Sequence, residues 1–259
     1  MKKFLALLFI FVLFFTGCGK KEKTTAFDEI LKKDVLVVGV KTNSVPFGYI
    51  SKKTGRNAGF DVDVAKNIAK DILGSEKKIK FVPVESDSRI EKLMEGEVDI
   101  VVATMSAIPQ REYLIDFSIP YFIAGQTALV RDGSNINTIT DLRRKTTIVV
   151  VGSTSERNLR RIIPTSSLIG YKDYTSAFEA FVNGKGDAIS SDDAILLGLL
   201  KQHPEYRMLK NRISKEFYCV GIRKEDDNDK LKRNVNMSIT RMNKDGTLNL
   251  LKRKWGLSG

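Results

Sequence analysis

Three short stretches of this sequence gather the hydroxyls and charges that hold a small polar molecule. They are Thr104, Ser106 and Arg111 in "ATMSAIPQRE", Ser153, Thr154 and Ser155 in "GSTSE", and Ser190, Ser191 and Asp192 in "ISSDD". An arginine presents a planar fork of donors to a carboxylate, an aspartate accepts from an ammonium, and hydroxyls both donate and accept. The first and third sets follow strand-like runs, and in open α/β sheets ligands sit outside the carboxyl ends of the strands. The second set opens a helix-like run, whose first N–H groups favour an anion. For any single hydroxyl, helix capping is the competing use.

Bond-breaking chemistry has little to work with. The sole histidine, His203 in "KQHPEY", stands beside a proline with no cysteine or carboxylate cluster around it. Neither a metal site nor a Ser-His-Asp or Cys-His arrangement can be assembled. "GSTSE" lacks the lysine of a phosphate-binding loop. Ser75 and Lys78 have the serine-to-lysine spacing of penicillin-binding enzymes, yet they fall in a polar turn without the partner motifs. No catalysis, metal or cofactor is expected.

The elements that must position the polar groups alternate along the chain. "VLVVGV" (35–40) is a buried strand pattern. "FDVDVAKNIAKDIL" (60–73) has apolar residues at 64, 65, 68, 69 and 72, a helical spacing, with Asp61 or Asp63 as N-cap candidates. "KFVPV" (80–84) is the next strand, followed by a helix with Ile90, Leu93 and Met94 on one face, a turn at Gly96 and a strand over 98–103. The pattern then restarts: a helix at 138–145, a strand at 147–151, helices at 153–163 and 176–184, a strand at 187–190 and a helix at 192–201. A strand at 216–222 and two amphipathic helices, the first with Leu231, Val235, Ile239 and Met242, close the chain. Such alternation predicts parallel-rich sheets wrapped by helices. The 259 residues, 42% hydrophobic, suffice for two lobes of roughly 100 to 150 residues each.

The opening "MKKFLALLFIFVLFFTGC" has two lysines, an apolar run from Phe4 to Phe15 and small residues before Cys18. This is the layout of a secretory signal, too short for a membrane span. "FTGC" is similar to a bacterial lipobox, in which the cysteine is lipidated, although Phe15 departs from the usual aliphatic residue. "GKKEKTTA" reads as a polar tether. Lipidation of Cys18 leaves Cys219, in the apolar run "FYCVGI", as a buried hydrophobe with no disulfide partner. The formal charge of +12 falls by two when Lys2 and Lys3 leave with the signal. A basic surface can mark nucleic-acid binding, but an exported lipoprotein seldom meets nucleic acid, so most of these charges are expected to be solvated surface.

Four segments taken in order, "GFDVDVAKNIAKDILG", "GEVDIVVATMSAIPQREYLIDFSIPYF", "GDAISSDDAILLG" and "DGTLNLLKRKWG", resemble the family 3 extracellular solute-binding proteins, the amino-acid receptors of ABC importers. The resemblance covers nearly all of the chain after the leader. It implies a type II two-lobed α/β fold, with two sheets joined by crossover strands near 121–125 and 218–222. With the leader read as a signal peptide at 1–17 and a lipid-anchored tether at 18–26, it further implies a first lobe from 27–121 plus 222–259 and a second from 122–221. Arg111 matches the family's arginine for the ligand α-carboxylate, Thr104 and Ser106 the groups that join this clamp, and Asp192 the carboxylate for the α-ammonium, with Asp193 beside it as a helix-cap candidate. Ile108 stands where many relatives carry a capping threonine. Ser44 and Ser86 fall where receptors for glutamine or basic amino acids carry an aromatic pair, while Lys41 and Arg89 add cations in a pattern similar to aspartate and glutamate receptors.

The ligand expected from this pattern is therefore an acidic amino acid, with Lys41 and Arg89 supplying charge and Ser153, Thr154 and Ser155 supplying donors. A neutral polar ligand such as glutamine or cystine, or an adhesin or signalling receptor of the same fold, is the alternative. The partners implied are a free L-amino acid, the membrane permease of an importer and, through Cys18, a membrane at the periplasmic or extracellular face; the protein is expected to act as a monomer.

Overall fold

The computed structural model describes residues 25–201, 203–224 and 229–257. The expected leader 1–17, Cys18 and most of the tether lie outside the described residues. The tether, expected to reach residue 26, gives way sooner. Thr25 caps a helix Ala26–Lys33: its side chain accepts from Asp28 N, and the Asp28 carboxylate accepts in return from Thr25 N.

Two five-stranded sheets form the lobes. The first has the spatial order Ile79–Pro83, Leu36–Val40, Ile100–Val101, Gly221–Arg223, Ile115–Phe117. The second runs Ser167–Tyr171, Thr146–Val150, Ala188–Asp192, Gln126–Arg131, Tyr206–Met208. In each sheet the fourth strand runs against its neighbours. That reversed strand is the one delivered by a crossover. Phe122–Ala124 leads straight into Gln126–Arg131, and Glu216–Tyr218 into Gly221–Arg223; the two crossover segments pair antiparallel with each other. The expected strand at 216–222 is thus two strands serving different sheets.

Local sequence explains most elements. The helix Phe60–Leu73 buries Val64, Ala65, Ile68 and Ala69 on the first sheet. Its N-cap is Gly59, whose φ of 134° is the left-handed side of the map and whose Cβ, if present, would lie 2.0 Å from Phe47 O. Asp61 and Asp63 do not cap it. The first helical N–H groups are satisfied by loop carbonyls instead, Phe60 N donating to Pro46 O and Asp61 N to Phe47 O.

Other differences are equally local. The helix over Arg89–Met94 buries Leu93, while Met94 is 49% exposed, because the short helix turns Arg89 inward. Regular pairing of the expected strand 98–103 is confined to Ile100–Val101, since the chain soon enters a left-handed turn at Thr104. The stretch expected as a helix at 138–145 is a 3-10 turn, Ile139–Leu142. Leu231, Val235, Ile239 and Met242 are all buried, as their spacing in helix Asp229–Lys244 requires. At the crossover, Phe47, Phe60, Phe122 and Tyr218 form an edge-on aromatic cluster, with ring centroids 5.3 to 6.0 Å apart for Phe47 and its neighbours. No helix among the described residues is long and apolar enough to cross a membrane.

Candidate functional site

Thr104 sits at the end of its strand with φ 46°, uncommon for a β-branched residue. Two side chains hold it there. Asp61 Oδ2 accepts from Thr104 N at 2.8 Å, and Asp61 Oδ1 accepts from Tyr121 Oη at 2.9 Å. Arg89 Nη1 donates to Ala103 O at 2.5 Å and to Thr104 O at 3.3 Å. Burial raises the Asp61 carboxyl to about 6 against the pull of its two hydrogen bonds. Sequence reading treats Asp61 as a cap. The structure instead gives its carboxylate to the strand end, because Pro46 and Phe47 already satisfy the helix. Asp63 likewise accepts from Lys254 Nζ at 2.6 Å and Trp255 Nε1 at 2.9 Å, fastening the C-terminal helix.

Arg111 lies in the four-residue helix Pro109–Glu112, where Pro109 presets the first turn and Ile108 precedes it without a side-chain cap. Its Nη1 donates to Ser106 O at 2.9 Å and its Nη2 to Gly152 O at 3.0 Å. Ser106 belongs to the first lobe and Gly152 to the second, so this one guanidinium spans a closed cleft. Burial, then the neighbouring Arg89, lowers its pKa to about 9, leaving it cationic at neutral pH.

In the second lobe, Ser153 caps helix Thr154–Ile162, its Oγ accepting from Glu156 N at 3.2 Å. Thr154 Oγ1 donates to Glu216 Oε2 at 2.9 Å and accepts from Gln126 Nε2 at 2.7 Å. Ser155 and Ser190 hydroxyls meet at 2.8 Å. Asp192 is buried, its Oδ2 accepting from Tyr218 Oη at 2.5 Å. Burial, followed by the repulsion of Glu216, raises its pKa to about 7. Asp193 faces elsewhere, its Oδ1 accepting from Gly125 N and Ala194 N and its Oδ2 pairing with Arg212 at 2.8 Å.

These elements close around a narrow polar pocket. Arg89, Thr104, Ser153, Thr154, Ser155 and Asp192 line it, together with Ser86, Tyr174 and Ser191. Lys41, Ser106 and Arg111 stand behind this wall. Lys41 is fully buried, with Nζ donating to Ser86 Oγ at 2.5 Å and lying 4.6 Å from the Tyr174 ring centroid. Burial, then the Arg89 charge, pushes its pKa down to about 7. Sequence reading missed Tyr174. It opens the apolar helix Tyr174–Val182, whose pattern signals only packing.

Opposed charges, paired hydroxyls and backbone carbonyls around a small closed space suit a zwitterion. Nothing in the wall suits a metal: among the described residues no group of three or more His, Cys, Asp and Glu side chains could hold one.

Comparison with known proteins agrees with this architecture. The chain is 42% identical over 206 residues to a glutamine-binding protein of Geobacillus stearothermophilus, covering 79% of each. It is 37% identical to an ABC transporter glutamine-binding protein of Bacillus subtilis, covering 98% of this chain and 97% of that one. Among solved structures, a cysteine-binding protein from Campylobacter jejuni superposes with a TM-score of 0.85 at 31% identity, covering 89% of this chain and 92% of that one. A family model, bacterial extracellular solute-binding proteins, family 3, matches residues 36–258. With two lobes closed on a polar cavity and this match over most of its length, the chain belongs to family 3 of the bacterial extracellular solute-binding proteins and is a binding receptor, not an enzyme.

Proposed function

We propose that this protein is the receptor of an amino-acid ABC importer and that its ligand is glutamine. The observation that carries the reading is a closed polar cleft lined by Arg89 and Asp192, with the Arg111 guanidinium bridging Ser106 O and Gly152 O beside it, so that cation and carboxylate stand ready for the two ends of a zwitterion. Arg111 takes the α-carboxylate with help from Thr104 and Ser106, and Asp192 takes the α-ammonium. The cavity wall is rich in hydroxyls from Ser86, Thr104, Ser153, Thr154, Ser155 and Ser191. A hydroxyl donates and accepts, which matches a side-chain amide better than a carboxylate, an acceptor only.

An acidic ligand follows from the cations Lys41 and Arg89 in the sequence. Two observations weigh against it. Arg89 Nη1 is committed to the carbonyls of residues 103 and 104, and the relatives of 42% and 37% identity are named for glutamine. Titration calorimetry across glutamine, asparagine, glutamate, aspartate and cystine decides the matter. Glutamine is expected to bind at least about tenfold tighter than glutamate, the worth of roughly 1.4 kcal/mol. Tighter binding of glutamate or aspartate would restore the acidic assignment.

The anchor belongs to the same reading. Cys18 follows a small pair and an apolar run, so it carries a lipid that tethers the receptor beside its permease. Cys18→Ser is expected to move the protein from the membrane fraction to the soluble one. Unchanged membrane retention in that variant rules the lipid out.

A further inference from the structure

A glycine interrupts an otherwise apolar helix of the second lobe. Helix Asp193–Leu200 reads DAILLGLL, and Gly198 is buried within it. Its backbone is helical and lies outside the left-handed region, so its own conformation does not call for glycine. Alanine would serve the helix better, because glycine in a helix interior loses more conformational freedom on folding. What glycine provides is room on the side that meets the first lobe. A Cβ at Gly198 would lie 2.5 Å from Val45 O, 3.1 Å from Val45 C and 3.2 Å from Pro46 Cδ. Even the weak C–H···O contacts of close-packed backbones keep carbon and oxygen roughly 3.3 to 3.6 Å apart. The obstacle is backbone, and it is pinned. Phe47 N donates to Ser44 O at 2.8 Å and Phe60 N to Pro46 O at 2.9 Å, and Phe47 is fully buried in the aromatic cluster. Gly152 makes a second backbone approach between the lobes, where a Cβ would lie 2.7 Å from Asp87 Cα.

Resting on the receptor reading of this cleft, we propose that Gly198 is a positioning residue: its bare α-carbon lets the two backbones meet at Val45 O, and that meeting sets how near Asp192 comes to the first lobe. Both ends of the contact lead to the site. Asp192 is the N-cap of the helix that carries Gly198. On the first lobe, Pro46 O and Phe47 O accept from Phe60 N and Asp61 N, and the Asp61 carboxylate in turn holds Thr104 N. Less than two helical turns separate Asp192 from Gly198, so a wedge under Gly198 displaces Asp192 with it. Giving a methyl group ordinary room requires the lobes to part by about 0.8 Å there. A shift of that size takes a contact of about 2.9 Å beyond the reach of a hydrogen bond. Gly198 does not line the pocket and touches no ligand. Its effect therefore falls on the closed form alone and on every ligand alike, because a substitution shifts the equilibrium only by its difference between the two forms.

The experiment uses the full receptor as wild type, Gly198→Ala and Gly198→Leu. Three quantities are read: affinity across the amino acids by calorimetry, melting temperature without ligand, and radius of gyration by small-angle scattering with and without glutamine. Gly198→Ala is expected to weaken every amino acid that wild type binds by about tenfold or more, in parallel and without changing their order. The ligand-free variant should melt at or above the wild-type temperature, since alanine is the better helix former. Gly198→Leu, a larger wedge, is expected to lose the compaction that glutamine produces in wild type. Wild-type affinity together with wild-type compaction in Gly198→Ala overturns the proposal. So does weaker binding with normal compaction and a lower ligand-free melting temperature, which is damage to the second lobe and not to closure. A changed order of ligands also overturns it, because the effect then lies within the pocket. A wild type that prefers another amino acid removes glutamine as the ligand, and the same three measurements with that amino acid still decide Gly198. A wild type that binds no amino acid overturns both.

Discussion

Arg111→Ala is expected to abolish useful binding of every amino acid, lowering affinity by roughly 3 to 5 kcal/mol, or about 150- to 5,000-fold. The guanidinium has five donors. Two already rest on Ser106 O and Gly152 O, one carbonyl from each lobe, and the fork is 8% exposed. Removing it takes away the cation for the ligand carboxylate and the hydrogen bonds that span the closed lobes. Arg111→Lys keeps the charge but not the fork, so it recovers only part of the loss. Folding should survive, because the side chain lies at the cleft and not within the apolar core of either sheet. A thermal melt near that of wild type, together with absent calorimetric heat, is the expected pair of results. Wild-type affinity in folded Arg111→Ala would exclude Arg111 from the clamp.

The fold was legible wherever one face of an element is buried. Helix Phe60–Leu73 and helix Asp229–Lys244, with Leu231, Val235, Ile239 and Met242, follow from apolar spacing because burial of one face demands that spacing. Ser167–Tyr171 escaped notice for the opposite reason: it is an edge strand, exposed over most of its length, so no hydrophobic alternation marks it. The reversed strand in each sheet was also hidden. Local pattern reports burial, whereas strand direction is fixed by the crossovers through Phe122–Ala124 and Glu216–Tyr218.

The site divides in the same way. Arg89, Thr104, Ser155 and Asp192 stand next to strand or helix ends, and the topology of an open α/β sheet gathers such positions. What each side chain then faces was not legible. Asp61 reads as a cap until two loop carbonyls satisfy its helix; Arg89 reads as a free cation until it turns back on the carbonyls of 103 and 104. Lys41 reads as pocket-lining until Ser86 stands in front of it. Tyr174 opens a helix whose pattern signals packing, and the side chains it meets, Ser191 and Lys41, are far from it in sequence. These assignments depend on contacts between segments far apart in the chain, which spacing does not encode.

Asp192→Asn should lower affinity by about 2 to 5 kcal/mol, the range for truncating one member of a buried hydrogen-bonded charge pair, and should change how binding depends on pH. In the closed site, burial and Glu216 hold the Asp192 carboxyl near 7. A ligand α-ammonium favours the carboxylate and lowers that value, so below about pH 7 binding must expel a proton. Affinity then rises with pH up to about 7 and flattens above it, with a limiting slope of about tenfold per pH unit. Lys41, pushed down to about 7, works with the opposite sign. A ligand oxygen beside Ser86, the hydroxyl to which Lys41 donates, favours the buried ammonium behind it, so above about pH 7 binding takes up a proton and affinity falls. Wild type is therefore expected to show an optimum close to neutrality. Asp192→Asn removes the acid limb and keeps the alkaline one, while Lys41→Met does the reverse. Calorimetry from pH 5.5 to 8.5, in buffers of different ionisation enthalpy, reads both the affinity and the protons exchanged. If Asp192→Asn keeps the acid limb, the proton belongs to another group and Asp192 does not meet the ammonium; if wild type is flat across the range, neither residue faces the ligand in the way its burial implies.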